Sequence, residues 1–72
     1  MKLIRWLENI GVEVHREDEN LWTVIVDKRR DTKGQVLKTI LRQDGIIDGD
    51  GNCIEVHRES EDDKSVLLKI CA

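Results

Sequence analysis

Two short stretches of this sequence carry the residue types that could bind a metal ion or pair a nucleophile with a base. The turn-rich stretch 45–52 contains Asp48 and Asp50, and Cys53 and His57 follow it. Carboxylates, thiolates and imidazoles are common metal ligands, and a cysteine within reach of a histidine can become a nucleophile. The second stretch surrounds His15, where the pentapeptide Glu-Val-His-Arg-Glu of residues 13–17 occurs again at 55–59.

The acidic turn resembles the calcium loop of EF-hand proteins. Asp48, Asp50, Asn52 and Glu59 fall at positions that supply metal ligands in such loops. In such loops, one position requires glycine for a sharp turn of the backbone. Here that position is occupied by Cys53. We therefore expect no tight calcium binding and interpret the Asp and Gly residues as a tight hairpin turn.

Two enzyme resemblances cover the same turn. Residues 45–51, Gly-Ile-Ile-Asp-Gly-Asp-Gly, resemble the second part of the LAGLIDADG homing-endonuclease motif, which implies a metal-dependent nuclease with Asp50 as the metal ligand. Residues 50–53 resemble the nucleophile segment of ovarian-tumour-type cysteine proteases, which implies Cys53 as the nucleophile. Both families need a larger fold than this chain provides. We expect no enzyme, no metal and no cofactor, and nuclease-like activity at Asp50 is the third functional alternative.

Length and composition favour one small folded domain spanning residues 1–72. Charged residues make up 38% of the 72 residues and aromatic residues 3%, but the apolar residues are periodic, as in a folded chain. No apolar run is long enough to cross a membrane, and the N-terminal stretch is charged, unlike a signal peptide. These features predict a cytoplasmic protein whose Cys53 and Cys71 stay reduced.

The charges are segregated along the chain. Residues 28–43 contain six basic residues and one acid, whereas residues 44–63 contain eight acids and one base. A basic block can bind phosphates, so a nucleic-acid-binding module, translation- or DNA-associated, is the second functional alternative. Its binding residues would be Lys28, Arg29, Arg30, Lys33, Lys38 and Arg42.

Apolar periodicity predicts the elements. Residues 2–10 place apolar side chains at helical spacing, residues 12–16 and 21–26 alternate as a strand hairpin, and residues 36–41 form a second helical stripe. Asp31 and Thr32 offer side chains that could cap that second helix. Residues 46–47 and 53–58 predict a second hairpin around the acidic turn.

The last segment is ambiguous. Alignment of 12–42 with 46–72 suggests an internal repeat of hairpin and helix, in which Val66, Leu67, Ile70 and Cys71 match a helix, whereas Val66, Leu68 and Ile70 also alternate as in a strand. On the basis of the repeat, we predict a C-terminal helix. The resulting order, hairpin–helix–hairpin–helix, is similar to that of the translation initiation factor 1 domain. Residues 45–47 and 54–56 resemble the second hairpin of that family. If the two Glu-Val-His-Arg-Glu copies are equivalent instead, the unit is helix–strand–strand. Residues 65–71 are then a strand, and the charged strands lie at the sheet edges.

The predicted fold is α+β, with element order αββαββ(α). It consists of a four-stranded antiparallel sheet with helices on one face, because few helices are available to cover it. The open face would carry Leu21, Thr23, Ile25, His15 and His57, together with neighbouring glutamates. An exposed apolar pair, Leu21 and Ile25, needs a partner to cover it. The leading functional prediction is a small non-enzymatic interaction module that binds a protein partner, or itself as a homodimer, through this face.

Overall fold

The computed structural model describes all 72 residues. Its elements follow the order α1 (Lys2–Asn9), β1 (Glu13–Asp18), β2 (Leu21–Asp27), α2 (Gln35–Arg42), β3 (Glu55–Glu61) and β4 (Ser65–Cys71). The four strands form one antiparallel sheet. The α+β class, the four-stranded antiparallel sheet and the order αββαββ are therefore confirmed.

The sheet places its two apolar strands at the centre. The strand order is β1-β2-β4-β3, so β2 and β4 pair with each other and each also pairs with one edge strand. The edge strands β1 and β3 carry the two Glu-Val-His-Arg-Glu copies and are mostly exposed. Charged edge strands discourage pairing with the edges of other sheets, and the β-branched residues of β2 and β4 favour the centre.

The helices cover one face of the sheet. Helix α1 buries Leu3, Ile4 and Leu7, and α2 buries Ile40. These side chains pack against the inward residues of the central strands, and Ile54 completes the core cluster. The inward residues alternate along each strand, as the pleat requires: Val24 and Val26 of β2, and Val66, Leu68 and Ile70 of β4.

Two features explain where α2 begins. Gly34 adopts a positive φ of 69° just before the helix, a conformation that glycine accepts without strain. The Asp31 carboxylate then accepts hydrogen bonds from the backbone N–H groups of Val36 and Leu37, at 3.1 and 3.0 Å. Asp31 thus satisfies two N–H groups of the first turn that lack helical partners. It does so from outside the N-cap position predicted for Asp31 or Thr32, which Gly34 occupies.

The predicted C-terminal helix is wrong. Residues 65–71 form the central strand β4, because Val66, Leu68 and Ile70 alternate with half-buried residues and each pairs across to β2. The predicted strand at 46–47 is only an isolated bridge between Ile47 and Cys53, and the predicted strand 53–58 begins at Glu55 and reaches Glu61. The ββα repeat is not confirmed, since its second helix does not exist.

The two copies of Glu-Val-His-Arg-Glu occupy equivalent positions on the two edge strands, β1 and β3. His15 lies opposite Thr23, and His57 lies opposite Lys69. Each edge strand shows a register shift at the corresponding place, between Arg16 and Asp18 in β1 and between Arg58 and Ser60 in β3. This arrangement agrees with the helix–strand–strand alternative for the unit. Whether the halves constitute a true sequence repeat stays a prediction.

Candidate interaction surface

The candidate surface is the face of the sheet opposite the helices, which we call the open face. Its centre is formed by the outward residues of β2 and β4. Leu21 pairs with Cys71, and Ile25 pairs with Leu67. Each of these two apolar pairs therefore spans the two central strands. All four side chains are half-buried, so Leu21 and Ile25 are less exposed than the sequence predicted. Their neighbours in the sheet cover part of each one.

A polar row separates the two apolar pairs. It crosses all four strands as His15, Thr23, Lys69 and His57. The Lys69 ammonium donates to the Thr23 hydroxyl at 2.6 Å, and that hydroxyl donates to Glu17 at 3.0 Å. Thr23 is the one buried polar residue of the chain, only 7% exposed. Its two hydrogen bonds satisfy the hydroxyl, as a buried polar group requires.

Lys69 itself remains incompletely compensated. It is half-buried, and no carboxylate lies within ion-pair distance of it. An ammonium has three N–H donors, and one of them is used on Thr23. The centre of the open face therefore presents a cation between two apolar pairs.

The two edges of the open face carry matching pairs of glutamate and histidine. Nε2 of His15 lies 2.8 Å from the Glu13 carboxylate, and Nε2 of His57 lies 3.8 Å from the Glu55 carboxylate. The side chains of both pairs are more than half exposed. The open face thus has a positive centre and acidic edges whose charge a protonated histidine would offset.

The structure brings the predicted open-face residues together. Leu21, Thr23, Ile25 and His15 lie on adjacent strands, and His57 lies at the opposite edge of the same polar row. Sequence reasoning missed Leu67, Lys69 and Cys71, because 65–71 was interpreted as a helix. The signal for them was the alternation of Val66, Leu68 and Ile70, which places every intervening residue on the other face.

The acidic turn has a structural role in this fold. The Asp48 carboxylate accepts hydrogen bonds from the backbone N–H groups of Asp50 and Asn52, both at 2.9 Å. The segment is a turn after α2 and not the end of a helix, unlike the corresponding segment of the endonuclease motif. No group of three or more His, Cys, Asp or Glu side chains is placed to hold a metal ion. Cys53, Glu55 and His57 carry side chains of metal-binding type, but they do not lie along one strand, because Cys53 precedes β3.

The basic block is partly neutralised inside the molecule. Lys28 forms an ion pair with Glu61 at 2.7 Å, and Arg29 forms one with Asp27 at 3.3 Å. These contacts lower the pKa of the Glu61 and Asp27 carboxyls, chiefly through the hydrogen bonds that Lys28 and Arg29 donate. The remaining four basic residues have no carboxylate within ion-pair distance and are exposed: Arg30, Lys33, Lys38 and Arg42.

One aromatic side chain lies on the helical layer within solvent reach. Trp6 is 37% exposed and Ile10 is 41% exposed, although both belong to the predicted apolar stripe of α1. The stripe is narrower than predicted because Leu3, Ile4 and Leu7 alone are buried. Trp6 is therefore partly accessible to solvent.

A shallow cleft of about 500 Å³ lies where the end of α1 approaches the loop before α2. Ile10 and Val36 line its apolar side. Its charged lining has both signs, including the Arg29–Asp27 pair, together with Arg30 and Lys64. This mixture does not converge on a point where one substrate group would be held.

Comparison of the chain with protein-family models, curated proteins and solved structures finds no match. No helix of the chain has the length and apolar character needed to cross a membrane.

Proposed function

We propose that this protein is a small non-enzymatic interaction module that binds a protein partner, or a second copy of itself, through the open face. The observation that carries the proposal is the one-sided sheet. Helices cover the core face, whereas the two apolar pairs of the open face are left half-buried in the isolated chain. Partner contact would complete their burial at roughly 25 cal/mol per Å² of apolar surface removed from water.

The composition of the open face supports protein binding. Apolar residues lie at its centre and charged residues lie at its edges, as in the interfaces of many protein complexes. The sheet is small, and an interface of standard size buries about 800 Å² on each partner. We therefore expect an association that is reversible and of moderate affinity.

Site-specific photo-crosslinking in cells that produce the protein tests this proposal. A photoreactive amino acid is placed singly at Leu67 on the open face, and at Lys38 on the exposed side of α2 as the matched control. We expect a discrete protein adduct from the Leu67 position, either with a second copy or with another protein, and none from Lys38. Protein adducts from Lys38 alone would overturn the proposal.

A nucleic-acid-binding function is the second candidate, because four residues of the basic block are exposed without ion pairs and Trp6 is partly exposed on α1. Their phosphate contacts would be sensitive to salt, and Trp6 could stack on a base. The test is binding of mixed single-stranded and double-stranded nucleic acid at low salt by the wild type and by the double variant Lys38→Glu, Arg42→Glu. Binding that is lost in the variant favours this candidate. No binding by the wild type removes it.

A further inference from the structure

We infer that the partner of the open face is a protein segment that presents one carboxylate between two apolar side chains, with the carboxylate on Lys69. This inference rests on the proposed function, because it names the chemistry of the partner for that same surface. It follows from the charge and spacing of the central residues.

The spacing along β4 sets the pattern of the partner. Leu67, Lys69 and Cys71 are successive outward residues of one strand, so neighbours are about 6.6 to 6.8 Å apart. The same apolar–polar–apolar order occurs on β2, where Leu21 and Ile25 flank Thr23. A segment with side chains in the order apolar, acidic, apolar at alternate positions of an extended strand has this spacing.

The positive charge of Lys69 at the centre of the open face favours a negative charge on the partner. A partner that covers Leu67 and Cys71 also removes water from the Lys69 ammonium between them. An ammonium without a direct ion pair is costly to desolvate, and Lys69 is linked to the Glu17 carboxylate only through the Thr23 hydroxyl. A partner carboxylate would supply a direct ion pair and accept hydrogen bonds from the unused N–H donors of Lys69.

The same charge argues against a centred homodimer. Face-to-face pairing of two copies over the middle of the sheet would bring two Lys69 side chains together in the region that loses water. Like charges at an interface are destabilising. The acidic edges restrict the partner further, since Glu13 and Glu55 would repel additional acids over β1 and β3. The partner segment therefore has one central carboxylate and neutral or basic ends.

The test uses two cyclic β-hairpin peptides that differ in one side chain. One displays leucine, glutamate and leucine at alternate positions of a face, with lysine at both ends, and the other has glutamine in place of glutamate. Cyclisation reduces the entropy lost on binding. Each peptide is titrated into the isotope-labelled 72-residue chain, and the amide resonances of β2 and β4 report binding at the open face.

We expect the glutamate hairpin to bind about fivefold more tightly than the glutamine hairpin, as for a partly exposed charge pair. Lys69→Met retains the aliphatic stem and should reduce that ratio to about one, whereas Lys69→Arg should preserve a preference for glutamate. Equal binding of both hairpins to the wild type would overturn the carboxylate inference and leave the proposed function standing. Shifts confined to residues outside β2 and β4 would also overturn it.

The photo-crosslinking experiment separates this inference from the function on which it rests. An adduct from Leu67 with a second copy of the chain as the only partner would contradict the carboxylate-bearing partner, while the open face would still be an interaction surface. An adduct with another protein supports the inference when the crosslinked segment carries a carboxylate between apolar residues. It opposes the inference when that segment carries none.

Discussion

The two faces of the central strands β2 and β4 differ in what their neighbouring residues contact. On the core face, Val24, Val66, Leu68 and Ile70 are fully buried beneath the helices. On the open face, Thr23 is buried beneath its hydrogen-bonded neighbours, but the other residues next to them in sequence are only half-buried: Ile25, Leu67, Lys69 and Cys71. The same strands and the same register therefore support two surfaces, one that forms the core and one that remains partly exposed. Adjacent residues provide matched pairs to test this difference.

The largest contrast is expected between Val24→Lys and Ile25→Lys. Val24 is completely buried, so a lysine there would place an unpaired charge in the core at a cost greater than about 4 kcal/mol, comparable with the whole stability of a small domain. Ile25 lies on the open face, where a lysine can extend into water beside Glu13. Circular dichroism should show an unfolded Val24→Lys chain and a folded Ile25→Lys chain. Unfolding of Ile25→Lys would mean that the faces of β2 are assigned backwards.

A smaller contrast is expected between Leu68→Ala and Leu67→Ala. Leu68 is fully buried, and truncation of such a side chain typically costs about 2–5 kcal/mol because it loses burial and leaves a cavity. Leu67 is half-buried, so its truncation should cost less than about 1.5 kcal/mol. Urea denaturation measures both free energies of unfolding. Equal losses would show that the open face stabilises the isolated fold as strongly as the core does.

Helix α2, which packs on the core face, can be destabilised without any substitution in the sheet. Asp31→Ala removes both hydrogen bonds that the carboxylate accepts from the first turn of α2. Loss of such a cap costs about 1 kcal/mol, which should appear in urea denaturation as a lower midpoint with an unchanged slope. Asp44 provides an informative second site, because its carboxylate accepts from the backbone N–H of Val56 and does not cap a helix. Asp31→Ala should reduce the hydrogen-exchange protection of α2 selectively, and Asp44→Ala should not.

The smallest expected effect is a loss of stability at acidic pH. Hydrogen bonds from Arg29, from Lys28, and from the backbone N–H groups of Lys64 and Ser65 lower the pKa of Asp27, Glu61 and Asp62 respectively. Carboxyls whose pKa is lower in the folded state stabilise it fully above their unfolded pKa, about 4, and lose that contribution as the pH falls through the folded pKa. The thermal midpoint should therefore decline below about pH 4. Replacement of all three by Asn or Gln should flatten that decline, and an unchanged decline would contradict this assignment.

Much of the fold could be predicted from the sequence because its local signals agree with the final packing. The alternation in β2, the helical stripe of α2 and the capping potential of Asp31 each depend on short-range chemistry. The segment 65–71 could not be assigned with the same certainty, since Val66, Leu67, Ile70 and Cys71 fit helical spacing while Val66, Leu68 and Ile70 fit a strand. The pairing of β4 with β2, a long-range contact, decides between them.

Only the part of the candidate surface that β1 and β2 form could be predicted from the sequence. Leu21, Thr23 and Ile25 follow from the alternation of β2, and His15 follows from its hairpin. Lys69 could not be placed beside Thr23 without the pairing of β4 with β2, so the cation at the centre of the open face was absent from the prediction. The sequence also gives no direct measure of exposure, so it could not show that Trp6 remains accessible while Leu7 is buried.

The most direct test of the account is the yield of the photo-crosslinked protein adduct at Leu67 in the presence of Ile25→Lys. Leu67 and Ile25 are paired across β4 and β2 on the open face, so a partner that covers one must contact the other. With the fold of the double variant verified by circular dichroism, we predict that the adduct obtained at Leu67 alone falls to background. An adduct of undiminished yield and the same composition would contradict the open face as the binding surface.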